Sequence, residues 1–193
     1  MNELDYLRPP QVLALIEADT RSIGFGMGSE NLTGGMLRVL AASKPRAEIL
    51  ELGTGTGISA AWLLDGMDAD SHLTTVDNDE KCLEIAKRHL EKDERITFHF
   101  GDGEEFLAGA TGKQFDLIFA DAWPGKYHHL DSALRLLKIG GFYVIDDLLP
   151  QPNWPEDHAP RVPRLIASLS QRRELTICPM SWSSGLLIAV RTI

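Results

Sequence analysis

The sequence predicts an α/β protein built on a doubly wound, mostly parallel seven-stranded sheet, with two helices before it and an antiparallel hairpin at its C-terminal end. Three observations predict this. Apolar runs of strand length alternate with amphipathic runs of helix length from residue 48 onward, the signature of parallel strands joined by crossover helices. The first of these runs, Glu48-Ile-Leu-Glu-Leu52, stops at three alternate glycines, Gly53, Gly55 and Gly57, and a helical pattern resumes after them. The last two runs, 174–178 and 185–190, are too close together for a crossover helix and therefore read as a hairpin. At 193 residues and 44% hydrophobic the chain suits one domain with a single large core, divided into N-terminal helices (1–45) and a ligand-binding core (46–193).

Each element follows from its own residues. Pro9-Pro10 opens a helix over 11–19 with Val12, Leu15 and Ile16 on one stripe, and the glycines between 24 and 28 end it. Ser29 or Asn31 caps a second helix that runs to Ser43. The linker between them either lies against a ligand or is a plain turn. Strand 48–52 suits burial on both faces, and the glycine turn lets the backbone bend and a ligand come close. The helix starting near Thr56 offers free N–H groups to an anionic group above the turn.

Strand 72–77 ends in Asp77, about 20 residues past the turn, where a carboxylate can accept both hydroxyls of an adenosine ribose. Asp79 is placed to cap the amphipathic helix 80–90. Strand 95–100 closes on Gly101-Asp102-Gly103; Asp102 can receive the exocyclic amine of adenine, and Gly103 lets the ring approach. His99, inside that strand, reads as packed or surface-facing. Strands 115–121 and 141–147 flank a helix over 127–138, so Asp121 and Asp146-Asp147 end adjacent strands on one edge of the sheet. With strands about 4.8 Å apart, these carboxylates converge within reach of one hard cation; otherwise Asp146-Asp147 only cap the following loop. The proline-rich stretch 149–160, with Trp154, reads as a stiff lid beside that edge, and 161–170 is a last helix.

Bulk properties exclude several classes. A net charge of -9, with a pI near 5.1 and no long run of lysine or arginine, gives a surface that repels nucleic acid. Cys82 and Cys178 form neither a zinc spacing nor a disulfide framework. No 18-residue apolar run and no leader pattern is present, so a soluble cytoplasmic protein is expected.

The glycine turn lacks the Gly-Lys-Ser/Thr ending of a triphosphate loop, and its third glycine falls one residue too early for a dinucleotide fingerprint. Glu51-Leu-Gly-Thr-Gly-Thr-Gly57 instead resembles the first motif of Rossmann-like S-adenosylmethionine-dependent methyltransferases, and most of the chain resembles the catechol O-methyltransferase-like family. That resemblance implies that Glu51, Gly53, Thr54, Gly55 and Ser59 belong to the cofactor motif, with Ser59 on the methionine carboxylate. It implies Met27 and Ser29 against the methionine part, Asp77 and Asn78 at the ribose, and Asp102 and Gly103 at the adenine. Phe119-Ala-Asp-Ala-Trp-Pro-Gly-Lys-Tyr127 is similar to the metal and substrate motif, which implies Asp121 as first ligand and Trp123 as an aromatic cover for the cofactor. Asp146 and Asp147 would complete a site for Mg²⁺ or another divalent cation. Two positions depart from the pattern: Pro124 stands where metal-dependent members carry the lysine base, and Asp147 replaces an asparagine. Asp147, Lys126 and His128 are then the candidate bases, with Asp121, Lys126 and Asp147 as the catalytic set. The resemblance implies methyl transfer from S-adenosylmethionine to a hydroxyl of a small molecule by a homodimer that meets through its N-terminal helices. The alternatives are transfer to a tRNA base or an amine, or cofactor binding without transfer.

Overall fold

The computed structural model describes residues 2–193. Seven strands form one sheet in the order β3-β2-β1-β4-β5-β7-β6, where β1 is Glu48–Leu52, β2 His72–Asp77, β3 Ile96–Phe100, β4 Phe115–Ala120, β5 Leu137–Ile145, β6 Leu175–Met180 and β7 Leu186–Arg191. The first five pair in parallel; β7 runs antiparallel to β5 and to β6, so the expected hairpin is present. The helices are α1 (Leu13–Ser22), α2 (Asn31–Ala42), α3 (Ile58–Gly66), α4 (Glu80–Leu90), α5 (Gly103–Gly109), α6 (Leu130–Arg135) and α7 (Arg161–Ser170), with a short 3-10 turn at Glu3–Tyr6.

Alternate residues of the central strands feed two cores. Ile49, Leu117, Phe119 and Val144 face a layer containing Leu13, Leu37, Trp62 and Leu63 from α1, α2 and α3. Leu50, Leu52, Ile118 and Tyr143 face the opposite layer, with Leu107, Leu134, Leu165 and Leu169 from α5, α6 and α7. Burial on both faces explains why the central strands read as continuous apolar runs. Because β1 lies mid-sheet and the order reverses between β2 and β4, a crevice opens above their C-terminal ends.

Three differences from the sequence reading have physical causes. Helix α5 follows β3 directly, capped by the Asp102 carboxylate, which accepts N–H bonds from Glu104 and Glu105. The helix expected over 127–138 shrinks to α6. Residues 123–128 are held in a tight loop, and from Leu137 the chain leaves the helix to pair with Phe115, with a register shift before Leu117. Strand β5 therefore begins four residues earlier than the expected 141. Leu15 on α1 and Val39 on α2 stand exposed on the helices that the sequence reading assigns to subunit contact. Among the described residues no helix is long and apolar enough to cross a membrane.

Helices α2 and α3 pack so closely that Gly34 lies against the fully buried Trp62 indole, and a Cβ there would overlap the ring. Gly34→Ala is expected to destabilise the fold by about 3 kcal/mol through overpacking, read as a lower midpoint in urea denaturation with an unchanged slope.

Candidate active site

A cavity of about 740 Å³ opens above the C-terminal ends of β1, β2, β4 and β5. Its floor is the turn between β1 and α3. Gly53, Gly55 and Gly57 all have positive φ (100°, 50° and 93°), so this path excludes side chains at three alternate positions. A Cβ on Gly53 would come 3.0 Å from the Asp121 backbone carbonyl, and one on Gly55 3.3 Å from the Phe25 ring. The turn is fastened from below and from the side. Val76 O accepts the Gly53 N–H at 2.9 Å, and the Asp77 carboxylate accepts the Gly55 N–H at 2.7 Å and the Asp79 N–H at 2.8 Å. Thr56 Oγ1 meets Thr20 Oγ1 at 2.7 Å, which ties α1 to the turn. Asp79, as expected, caps α4 by accepting from Lys81 and Cys82.

Most of the cofactor residues expected from the sequence line this cavity: Met27, Ser29, Gly53, Thr54, Gly55 and Ser59 on one side, Asp77, Asn78, Gly103, Asp121 and Trp123 on the other. Two do not. Asp102 is outside the cavity lining, and its Oδ1 caps α5. Glu51 lies beneath the turn, fully buried, and does not line the cavity. Thr75 Oγ1 donates to its Oε2 at 2.5 Å and also meets Thr54 Oγ1 at 2.5 Å. Burial pushes the Glu51 carboxyl up to about 7, opposed by hydrogen bonds from Ser59 and Thr75 and assisted by the Asp77 charge.

The acceptor end of the cavity holds Asp121, Lys126, Asp146 and Asp147. Ser29 Oγ donates to Asp121 Oδ2 at 3.1 Å, linking the loop before α2 to the end of β4. Burial, then the Asp146 charge, raises the Asp121 carboxyl well above the usual carboxylate range, and Lys126 opposes the shift. Asp146 is buried; Ser184 Oγ and the Asp147 N–H both donate to its Oδ1, and burial pushes it up to about 6. Ser184 belongs to a run of hydroxyls: Thr33 Oγ1 lies 3.4 Å from Ser184 Oγ and 2.9 Å from Ser183 Oγ, which donates to Glu30 Oε2 at 2.6 Å. Asp147 sits at φ 56°, a left-handed conformation that an aspartate adopts at some cost, and its side chain makes no hydrogen bond among the described residues.

The three aspartates share the cavity as expected. Among the described residues no group of three or more His, Cys, Asp and Glu side chains is placed to hold an ion. Asp146 Oδ1 and Asp121 Oδ2 are engaged by hydroxyl and N–H donors.

Pro124, at the position of the family's lysine, leans on Gly103, where a Cβ would meet its ring at 2.8 Å. The loop then turns at Gly125 (φ 81°), with Trp123 O accepting N–H bonds from Lys126, Tyr127 and His128. Tyr143 on β5 donates its hydroxyl to Gly125 O, and Lys126 turns into the cavity with 2% of its surface exposed. His128 instead points to Glu104, its Nδ1 2.8 Å from the carboxylate, and does not line the cavity.

The expected lid is present. Asn153 Nδ2 donates to Gly26 O at 3.0 Å across the cavity mouth, and Trp154 stacks on His158 at 3.9 Å. His158, Ser184, Phe25 and Cys82 also line the cavity and were not singled out from the sequence. His158 is buried with its Nε2 unpartnered, and burial together with the Lys126 charge lowers its pKa.

A sequence profile described as "Methyltransferase domain" matches residues 50–148, from β1 to just beyond the Asp146-Asp147 pair. A protein of Mycobacterium ulcerans (strain Agy99), assigned as an O-methyltransferase, is 29% identical over 185 residues, covering 90% of this chain and 83% of its own. Another with that assignment, from Mycolicibacterium vanbaalenii, is 34% identical over 134 residues, and the match spans 59% of its length. Among solved structures, the O-methyltransferase TomG from Streptomyces achromogenes, in complex with SAM, superposes with a TM-score of 0.84 at 23% identity, covering 97% of this chain and 92% of its own. The O-methyltransferase from Bacillus cereus, in complex with SAH, gives 0.84 at 20% identity, covering 96% and 93%. At these identities the two structures speak for the fold alone.

Because the Glu51 pKa in the folded chain lies above its ordinary 4.5, the folded state holds a proton that the unfolded chain gives up first. The Glu51 contribution to stability therefore falls as pH rises from about 4.5 to 7, by about 3 kcal/mol, and levels off above that, in a window it shares with the raised Asp121 and Asp146. Glu51→Gln should make this part of the stability curve less steep without flattening it, measured by urea denaturation across the range.

Proposed function

Because this chain belongs to the methyltransferase-domain family that its residues 50–148 match, we propose that its cavity binds S-adenosylmethionine along the glycine turn and methylates a hydroxyl of a small molecule held at the carboxylate end, as in the catechol-type O-methyltransferases it resembles. The observation that carries this reading is the continuity of one cavity from Gly53, Gly55 and Asp77 to Asp121, Lys126 and Asp147. Bound there, the cofactor supplies a methyl group on a sulfonium, which an oxygen nucleophile takes in a displacement that leaves a neutral thioether.

The chain's own residues supply position and charge. The bare backbone of Gly53 and Gly55 lets the cofactor lie on the turn, and Asp77, already oriented by the Gly55 and Asp79 N–H groups, keeps lone pairs for the ribose hydroxyls. Ser59, in the first turn of α3, and Ser29 serve the methionine end. Trp123 and Pro124 wall the adenine side next to Gly103. At the acceptor end, Asp147 is the base: its carboxylate has no hydrogen bond among the described residues and its backbone strain is of the kind found where a side chain is held for chemistry. The hydroxyl proton passes to Asp147 as the O–C bond forms and the S–C bond breaks. Lid residues Trp154 and His158 cover the acceptor and exclude water.

Calorimetry with S-adenosylhomocysteine and turnover with a panel of catechols test the reading. Asp77→Ala is expected to weaken S-adenosylhomocysteine binding about 10–100-fold, the loss of charge-assisted hydrogen bonds. Asp147→Asn is expected to leave that affinity unchanged and lower kcat about 100-fold or more. Failure to bind S-adenosylhomocysteine at all would overturn the assignment of the cavity.

A further inference from the structure

The acceptor end contains one positive side chain, and the fold goes to some length to put it there. Among the described residues Lys126 is the only lysine or arginine that lines the cavity. Its place is fixed by a loop of defined shape. Trp123 O gathers three N–H groups at 2.8–3.1 Å, the Gly125 N–H donates to His128 O at 2.7 Å, and Tyr143 binds Gly125 O from inside the core. Gly125 has no room for a side chain, since a Cβ would meet Leu52 Cδ1 at 2.5 Å and the Tyr143 hydroxyl at 3.0 Å. The side chain that emerges is Lys126, buried along its stem, with no carboxylate within 4.0 Å among the described residues and no hydrogen bond to its ammonium. Opposite it, Asp121 and Asp146 are each held by a serine hydroxyl, and Asp146 by a backbone N–H as well.

Resting on the reading of this cavity as an O-methyltransferase site, we propose that Lys126 is the resident cation of the acceptor end: its ammonium holds the acceptor oxygen and stabilises the charge that develops there, in the place that a divalent metal has in the resembling family. Two structural facts carry this. Of the three carboxylates that would ligate a metal, Asp121 and Asp146 each have one oxygen engaged by hydroxyl or N–H donors, and among the described residues the three do not form a group placed to hold an ion. The ammonium is aimed into the same space by a loop anchored on β5, so a divalent ion entering there meets a like charge in a site of low dielectric. A lysine ammonium has three donors and takes an oxygen lone pair without a fixed coordination geometry. Lys126 thus acts by charge and hydrogen bonding, and the proton leaves to Asp147.

The test measures metal uptake directly and needs no acceptor. Mn²⁺ is titrated into the protein saturated with S-adenosylhomocysteine, and free Mn²⁺ is followed by electron paramagnetic resonance. The wild-type chain is expected to take up no Mn²⁺ tighter than about 1 mM. Lys126→Met, which removes the charge and keeps the stem, is expected to bind Mn²⁺ at least about tenfold more tightly than the wild type, because the like charge is gone. A stoichiometric site in the wild type that Asp121→Asn abolishes overturns the proposal, as does unchanged Mn²⁺ affinity in Lys126→Met. The wild-type titration decides even if the variant fails to fold. Loss of S-adenosylhomocysteine binding in the wild type would instead sink the cofactor reading, which keeps the two failures apart.

Discussion

The structure depends on one hydrogen bond more than on any other: the Gly55 N–H donating to the Asp77 carboxylate. It joins the turn after β1 to the end of β2, and so fixes the glycine backbone and the acid relative to one another on the cavity floor. Around it the constraints are steric. The three positive φ values of the turn admit only glycine at low cost, and the close approach of Gly53 to the Asp121 carbonyl means the turn also sets where β4 ends. Asp121 is therefore placed by the same few residues that shape the cavity floor. Two networks support them from either side, Glu51-Thr75-Thr54 buried below the turn and Glu30-Ser183-Thr33-Ser184-Asp146 running from the surface inward beside it.

Much of this was legible in the sequence because it is carried by local rules. Helix α4 and strand β2 have the expected bounds, since an aspartate cap and an apolar run between polar ends define them without help from the rest of the fold. The placement of Asp77, Asp121 and Asp146 at one edge followed from strand order alone. What could not be read was decided by tertiary contacts. The 127–138 stretch has helical composition, yet Leu137 leaves the helix because pairing with Phe115 buries it fully. Lys126 lies two residues from the expected place, and only the Gly125 turn and the Tyr143 hydroxyl reveal that it still reaches the cavity. Asp102 reads in the sequence as an adenine contact, and its capping of α5 shows only in the structure, because no helix was expected directly after β3. Glu51 sits in a motif that implies a cofactor contact, but the alternation of β1 turns it under the turn into the layer that faces α3. Ser184 and His158 lie in segments far from the motifs in sequence, and no spacing rule brings them to Asp146 and Trp154.

The two ends of the cavity are built differently. The cofactor end is backbone and short polar side chains on the tips of central strands, rigid because every strand beneath it is buried on both faces. The other end is walled by the loop 123–128, the 149–160 segment and the turn between β6 and β7; the last two are joined by backbone bonds from the Leu148 and Leu149 N–H groups to Gly185 O and Ser184 O as well as by side-chain contacts. Substitutions in these walls alter the fit of an acceptor without touching the sheet, which is the usual arrangement when one fold serves many substrates.

The hydroxyl of Tyr143 has a consequence that extends beyond its single bond. It grips the main chain of Gly125 from within the interior, at a position where any side-chain shift on β5 is felt. The Lys126 ammonium is thus anchored to the scaffold rather than to the surface segment that carries it, and an exchange at its exposed loop neighbours His128 and His129, which lie outside the cavity, leaves that anchor in place.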